Sequence, residues 1–253
     1  MPPFEAAEKR LKIQFDTSVD LLQFPSSFWQ QQLNFCSATI LSSVCNQQIH
    51  AYLLSESSLL VFKHHLILIT CGLCPLINTA MALIEHFTPQ SVRELSFQRQ
   101  SEQNPELQLS QFSEDAARLR SIFNKLKVST NSVHYLHDLA PASPNALHWQ
   151  LSPLPKQWQW RLSNQNLDKP RLRQLLALEQ LNQDYLIDDW LFEPIGYSAN
   201  GIARKNRSQD YFCLHLSPEP SCSILSLECS NATTLGMLKN HLDQFTQLYS
   251  HTT

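Results

Sequence analysis

The sequence predicts an α+β protein in which antiparallel sheets are covered by helices. Strand-like segments with alternating apolar residues recur along the 253-residue chain, and segments with helical apolar spacing separate them. Hydrophobic residues make up 43% of the chain, enough for a substantial buried core. Strands mixed with face-covering helices in this order are typical of antiparallel sheets.

The first half of the chain contains most of the predicted strands. We expect, in order, a strand Lys9–Phe15, a short helix Ser26–Leu33, β-rich segments Ala38–Cys45 and Ile49–Cys71, a helix after Pro75 and a helix opened by Ser113. Residues 129–156 are rich in Pro, Asn and Ser and are predicted to be a connection.

The second half repeats the same kinds of element. We expect a strand Trp158–Leu162, a helix Lys169–Leu181, strands Tyr211–Ser217 and Ser223–Cys229, and a closing helix from about Thr233 to Leu248. The pattern indicates one domain over residues 1–253, built from repeat halves at about 1–128 and 157–253.

Composition excludes several function classes. The net charge of −3 is dispersed, so nucleic acid is not expected as a partner. The apolar run Leu66–Ile69 is too short for a membrane span, and the N-terminus lacks the pattern of a signal peptide, so a cytoplasmic protein is predicted. The seven cysteines lack zinc-type spacing and are expected to be reduced thiols without a metal.

A polar stretch, Ser55–Ser58, interrupts an apolar segment without the Gly, Pro or Asn of a common turn. Further on, the polar residues 63–65 can form a tight turn, and a turn centred on His64 places Ser57 opposite Cys71. Directly opposed side chains on antiparallel strands share a face. A hydroxyl and a thiol are therefore expected together, although a buried structural thiol is the alternative interpretation of Cys71.

A second hairpin, centred near residues 206–207, would place Ser198 opposite His215. Along the strand of His215, polar and apolar residues alternate, so His215 is expected to face away from the apolar side. A serine beside a histidine is the arrangement of an activated nucleophile, whereas a lone strand histidine is usually structural. The residues alone leave both interpretations open.

Five short motifs point to a family. They are FEAAEKRLKIQF from residue 4, LLSESS from residue 53, TCG from residue 70, GYSANG from residue 196 and LHLSPEP from residue 214. In content, order and spacing they resemble the eukaryotic-type S-adenosylmethionine decarboxylases, from Phe4 to Glu228. The resemblance implies a four-layer αββα sandwich of two antiparallel sheets with an internal repeat, the second sheet being shorter because family members usually continue beyond Leu248.

The resemblance also implies an enzyme that cuts its own backbone between Glu56 and Ser57. The Ser57 hydroxyl would attack the Glu56 carbonyl, and the resulting ester would eliminate to leave a pyruvoyl cofactor at residue 57, with no metal and no pyridoxal phosphate. Ser198 matches the oxyanion-stabilising position and His215 the processing base. Glu8 matches an acidic position that would assist processing.

In turnover, the pyruvoyl group would form a Schiff base with S-adenosylmethionine, and Cys71 would protonate the carbon that has lost CO₂. Five further positions match substrate-binding residues of the family: Phe4 and Phe192 for the adenine, Glu219 for the ribose hydroxyls, and Glu5 and Leu54 elsewhere along the substrate. The product would supply aminopropyl groups for spermidine and spermine synthesis.

Two alternatives stay open. One is a pyruvoyl decarboxylase of another amino acid, which the matched adenosine-binding positions oppose. The other is a non-catalytic paralogue that regulates a full-length partner, which the shorter C-terminus favours. A homodimer also stays open.

Lys12 departs from the family pattern. Diamine-activated members carry an acidic residue there, while this chain keeps the partner acid as Glu228. An ammonium group opposite Glu228 would imitate a bound putrescine. We therefore expect that putrescine does not activate this protein.

Overall fold

The computed structural model describes residues 7–55, 57–102, 104–130, 133–137, 146–164, 167–193, 196–205, 208–218 and 223–250. In these residues the strands are β1 (Lys9–Phe15), β2 (Ile40–Cys45), β3 (Ile49–Leu54), β4 (Ser57–Phe62), β5 (His65–Thr70), β6 (Val92–Gln100), β7 (Lys127–Thr130), β8 (Val133–His137), β9 (Leu147–Leu151), β10 (Tyr185–Leu191), β11 (Tyr197–Ala203), β12 (Tyr211–Ser217) and β13 (Ile224–Cys229). The α-helices are α1 (Ser26–Asn34), α2 (Leu76–Phe87), α3 (Phe112–Ile122), α4 (Lys156–Asn164), α5 (Lys169–Leu175) and α6 (Ala232–Ser250).

The chain divides into two compact units, Met1–Leu41 with Gln48–Ser143, and Ser42–Gln47 with Pro144–Thr253. One sheet has the order β2-β3-β4-β5-β1-β6-β8-β7 and the other β10-β11-β12-β13-β9. The pairings from β3 to β7 in the first sheet, and all of those in the second, are antiparallel. The predicted α+β class with two antiparallel sheets is confirmed, and the second sheet is the shorter. The single domain with repeat halves remains a prediction.

The core of the first unit lies between one face of its sheet and helices α1, α2 and α3. In β1 every second side chain is buried, which places Leu11, Ile13 and Phe15 in this core. Burial of such a side chain contributes about 1.5–3 kcal/mol. Lys9 points to the same side of β1 as these three residues, so a charged side chain is buried at the end of the apolar face.

The core of the second unit packs alternate residues of β11, β12 and β13 against helices that include α5 and α6. Phe212, Leu214 and Leu216 take part in this core, as the alternation along β12 predicts. Gly201 lies opposite Phe212, and a Cβ at residue 201 would overlap the Phe212 ring. The other face of the same strands carries the polar side chains.

The prediction of a strand at Trp158–Leu162 is wrong, because these residues belong to helix α4. Trp158, Trp160 and Leu162 alternate as in a strand, but residues two apart lie on nearly opposite sides of a helix. Trp158 is accordingly buried, whereas Trp160 is 62% exposed.

Other boundaries also differ from the predictions. The expected connection at 129–156 contains β8 and β9, and β9 forms an edge of the second sheet. The expected helix Lys169–Leu181 stops at Leu175, and a 3₁₀ turn Leu178–Leu181 follows after Ala177, whose φ is 58°. Strands β6 and β10 were not predicted, since their polar residues obscure the alternation.

Candidate active site

Ser57 begins β4 in a backbone conformation that is rare for a residue with a side chain. Its φ is 144°, and it is only 6% exposed. Such a conformation costs about 1–3 kcal/mol in a non-glycine residue and persists only where the surrounding structure imposes it. The strain therefore lies at the residue that the family pattern assigns to self-cleavage.

The hairpin loop before Ser57 is short and anchored. Leu54 pairs with Ser57, so only residues 55 and 56 separate the two strands. The Ser55 N–H donates to the Thr39 carbonyl at 2.8 Å, and the Thr39 N–H donates to Ser55 Oγ at 3.0 Å. These two bonds hold Ser55 against Thr39.

The prediction that Cys71 lies opposite Ser57 is wrong by one residue, because Ser57 pairs with Thr70. The turn contains two residues, Lys63 and His64, and not three. The third polar residue, His65, begins β5 and stacks on Phe62 with ring centroids 4.0 Å apart. Cys71 follows the end of β5 and is half-buried.

The loop after Cys71 is held by a buried ammonium group. Lys9 Nζ donates to the carbonyls of Gly72 and Cys74, both at 3.0 Å, and to Gln108 Oε1 at 2.7 Å. Burial, with a smaller contribution from Arg99, lowers the pKa of Lys9. Gly72 has a φ of 64°, which glycine adopts without the steric cost of a Cβ. The backbone that follows the predicted proton donor is therefore fixed.

Cys74 lies at the far end of this loop. Its thiol donates to the Cys36 carbonyl at 2.8 Å. A hydrogen bond with the Cys74 side chain is the main cause that lowers the pKa of Cys36 to about 7. Both cysteines are buried, and neither is in a disulfide bond.

In the second unit, Ser198 of β11 lies directly opposite His215 of β12, as predicted. Ser198 Oγ is 3.0 Å from His215 Nδ1, a hydrogen-bonding distance. Ser198 is 5% exposed and His215 is half-buried. The pair can act in acid–base chemistry, since a histidine ring nitrogen can accept or donate a proton.

The polar residues opposed to one another on β11 and β12 have a further neighbour on β13. Ser226 of β13 lies opposite His215, and its Oγ is 3.1 Å from His148 Nε2. Glu228, two residues further, is 2% exposed and accepts a hydrogen bond from the Tyr211 hydroxyl at 2.8 Å. The face opposite the apolar core of this unit is thus lined with buried polar groups.

Three other predicted site residues occupy defined places. Phe192 is half-buried just after β10, where its N–H donates to the Gly196 carbonyl at 2.9 Å. Leu54 is fully buried at the end of β3, within the apolar core of the first unit. Glu8 precedes β1 and Cys71 follows β5, each one residue outside the Lys9–Thr70 pair.

Lys12 forms an ion pair with Glu94, at 3.1 Å between Nζ and Oε1. Nearby His65 has its pKa lowered to about 4, first by burial and then by the charge of Lys12. Lys12 belongs to the first unit and Glu228 to the second, so the idea that Lys12 replaces a diamine beside Glu228 stays a prediction.

Four predicted site residues, Phe4, Glu5, Glu56 and Glu219, lie outside the described residues. Two residues beside Ser57 and Cys71, namely Lys9 and Thr70, were not predicted as site residues. The signal for Lys9 was available, because a lysine in phase with the apolar residues of a strand must find buried acceptors. In the part of the chain that the structure describes, no helix has the length and apolarity needed to cross a membrane.

The fold and these groups define a class: an α+β protein with antiparallel sheets, a strained serine at a strand start and a serine–histidine pair. Sequence comparison gives the family. The family model for adenosylmethionine decarboxylase matches residues 2–151 and 150–250, and the chain belongs to this family.

Individual relatives agree with this assignment. The chain is 27% identical to the S-adenosylmethionine decarboxylase proenzyme of Leishmania donovani, covering 90% of this chain and 66% of that protein. It is 28% identical to the proenzyme of Trypanosoma brucei brucei, covering 93% and 70%. The crystal structure of a Trypanosoma brucei AdoMetDC-delta26 monomer is similar with a TM-score of 0.51 and 25% identity over 69% of each chain. The chain spans about two thirds of the length of the curated relatives that it matches.

Proposed function

We propose that this chain is a self-processing decarboxylase of S-adenosylmethionine that generates its own pyruvoyl group at residue 57. The observation that carries the proposal is the φ of 144° at Ser57, within an otherwise regular strand. Cutting the Glu56–Ser57 bond would relieve this strain, because the φ of residue 57 is defined only while its nitrogen is bonded to the carbonyl carbon of residue 56. Family membership and the names of the relatives support the substrate.

Self-processing would begin with attack of Ser57 Oγ on the Glu56 carbonyl carbon. The C–N bond breaks, the proton ends on the nitrogen of residue 57, and the two parts of the chain are joined by an ester. Removal of the residue 57 Cα proton then breaks the Cβ–Oγ bond and releases residues 1–56 as a carboxylate. Addition of water and loss of ammonia leave the pyruvoyl group.

Ser198 and His215 would serve the two proton-dependent steps. If His215 Nδ1–H donates to Ser198 Oγ, the Ser198 hydroxyl proton is available for the oxyanion of the acyl shift. The same tautomer leaves Nε2 as the basic nitrogen, which suits removal of the Cα proton. One hydrogen bond therefore sets both roles.

A pyruvoyl group fits the surroundings of residue 57, which is 6% exposed and follows an anchored two-residue loop. When present, the group supplies an electron sink for loss of CO₂ from an amino acid. The chain would supply the rest: Cys71 as the proton donor, Glu8 as an aid to processing, and Phe192 with Phe4 as stacking partners of the adenine. Glu219, Glu5 and Leu54 would complete the substrate site.

Release of CO₂ from carboxyl-labelled S-adenosylmethionine tests the proposal. The purified protein should release labelled CO₂ from this substrate and far less from ornithine or arginine. The Ser57→Ala variant, which has no hydroxyl to begin processing, is the matched control and should release none. Greater activity on ornithine than on S-adenosylmethionine would make ornithine the substrate. No activity on any of the three would contradict the proposal that the chain is a decarboxylase.

A further inference from the structure

Thr70 is a buried hydroxyl residue in the same cross-strand row as Ser57. It ends β5, pairs with Ser57 of β4 on one side and pairs with Lys9 of β1 on the other. Its exposed fraction is 0%. Across the structurally described part of the chain, Thr70 Oγ1 is one of the few buried side-chain oxygens without a hydrogen-bond partner.

The neighbouring cation does not satisfy this hydroxyl. An ammonium group has three N–H donors, and Lys9 directs its bonds to Gly72, Cys74 and Gln108. Because buried polar groups are nearly always paired, a hydroxyl left without a partner here requires an explanation. An interaction that is absent in the resting state and forms during a reaction accelerates that reaction.

We propose that Thr70 is a positioning residue for self-cleavage, an inference that rests on the proposed function. Thr70 Oγ1 accepts a hydrogen bond from the Ser57 hydroxyl as Ser57 Oγ approaches the Glu56 carbonyl carbon. The Oγ–C bond then forms, the C–N bond breaks, and the hydroxyl proton ends on the nitrogen of residue 57. Thr70 orients the Ser57 hydroxyl, and it neither gains nor loses a proton over the whole step.

The position of Thr70 suits this role. Directly opposed residues on antiparallel strands have Cβ atoms about 4.5–5.5 Å apart, so a threonine hydroxyl and a serine hydroxyl can meet across the pair. Lys9 holds the backbone two residues after Thr70 through the Gly72 carbonyl. The Thr70 side chain is therefore presented to Ser57 from a rigid strand end.

Two substitutions separate the hydroxyl from the shape of the side chain. Thr70→Val keeps the volume and removes the hydroxyl, whereas Thr70→Ser keeps the hydroxyl and removes the methyl group. The full chains are synthesised in a cell-free translation with radiolabelled methionine, and the loss of full-length chain is followed by denaturing electrophoresis. Parallel samples are treated with hydroxylamine, which cuts an ester at residue 57 but not an amide.

Thr70→Val should slow cleavage by about tenfold, the effect of one lost hydrogen bond in the transition state. The full-length chain that accumulates should resist hydroxylamine, and Thr70→Ser should be cut at nearly the wild-type rate. In a Ser57→Ala background, Thr70→Val should unfold in urea at the same or a higher midpoint, because the lost hydroxyl has no partner.

The inference is overturned if Thr70→Val is cut at the wild-type rate, if Thr70→Ser is slowed as much as Thr70→Val, or if Thr70→Val accumulates a hydroxylamine-sensitive ester. It is also overturned if Thr70→Val unfolds at a lower urea midpoint or fails to fold. If the wild-type chain itself stays uncut, the proposed function fails and not only the role of Thr70. The wild-type sample therefore distinguishes the two failures.

Discussion

Ser198 and His215 face each other on neighbouring strands, with Ser198 Oγ 3.0 Å from His215 Nδ1. The strands hold the pair in register, and the apolar core of the unit packs against the opposite face. Each side chain can therefore be removed without opening that core.

His215→Ala should stop processing at the ester, because the acyl shift does not need a base at the residue 57 Cα. We expect full-length chain that hydroxylamine cuts into two pieces. Ser198→Ala should instead slow formation of the ester, so less hydroxylamine-sensitive chain should accumulate. Electrophoresis with and without hydroxylamine distinguishes the two variants, and a fully processed His215→Ala protein would contradict the assigned role.

Gly201→Ala should destabilise the second unit by about 1–3 kcal/mol, the usual cost of overpacking a filled core. The added Cβ would overlap the Phe212 ring, which is fully buried. Urea unfolding in the uncut Ser57→Ala background measures the effect.

Gly236→Ala is the matched control for Gly201→Ala. Gly236 lies in helix α6 with open space around the added Cβ, so alanine should be neutral or stabilise by up to about 1 kcal/mol. Equal effects at the two glycines would show that contact with Phe212 is not the cause.

Protonation of His65 should make the protein less stable in acid. Its pKa is lowered from 6.5 to about 4 in the folded state, by burial and by the charges of Lys12, His64 and Arg10. Between pH 6.5 and 4 the unfolded chain therefore binds a proton that the folded chain does not, and the free energy of unfolding falls as the pH falls.

His65→Phe keeps a ring that can stack on Phe62 and removes the titration. Over this pH range the wild type should lose up to about 3 kcal/mol more stability than the variant. Urea unfolding at several pH values in the Ser57→Ala background measures the difference. Parallel pH profiles would mean that His65 does not titrate in this way.

Putrescine should leave the processing rate and kcat unchanged, because Lys12 supplies a resident cation in the first sheet. A second ammonium group beside it would meet like-charge repulsion. Lys12→Glu, which removes this cation, should process more slowly and respond to the diamine. Glu94→Gln is a control that keeps the cation and removes its partner, and it should stay insensitive. Strong stimulation of the wild type by millimolar putrescine would refute the prediction.

Of the two hairpin registers predicted from the sequence, one is confirmed and the other is wrong by one residue. The predicted Ser198–His215 pair is confirmed, because β11 and β12 pair in one continuous register from Tyr197 to Ile202. The Ser57 register was wrong by one residue, because His65 looks like a turn residue but stacks on Phe62 inside the sheet. Polarity alone does not distinguish a turn histidine from a paired one.

Two other features depended on tertiary structure. The alternation in Trp158–Leu162 fits a strand, but the segment is helical, with Trp158 buried and Trp160 exposed. The positive φ of Ser57 has no local sequence signal, and it occurs where Ser57 pairs with Leu54 on one neighbouring strand and with Thr70 on the other. The unpaired hydroxyl of Thr70 likewise appears only when all neighbouring donors are accounted for.

Self-cleavage can be read from the intact mass of the purified wild-type protein. We expect two chains cut between residues 56 and 57, a small N-terminal chain and a chain of residues 57–253 whose mass and blocked N-terminus correspond to pyruvate. The Ser57→Ala protein, handled identically, should give one uncut chain. A wild-type protein that remains a single chain of 29.1 kDa after long incubation would contradict self-cleavage at Ser57.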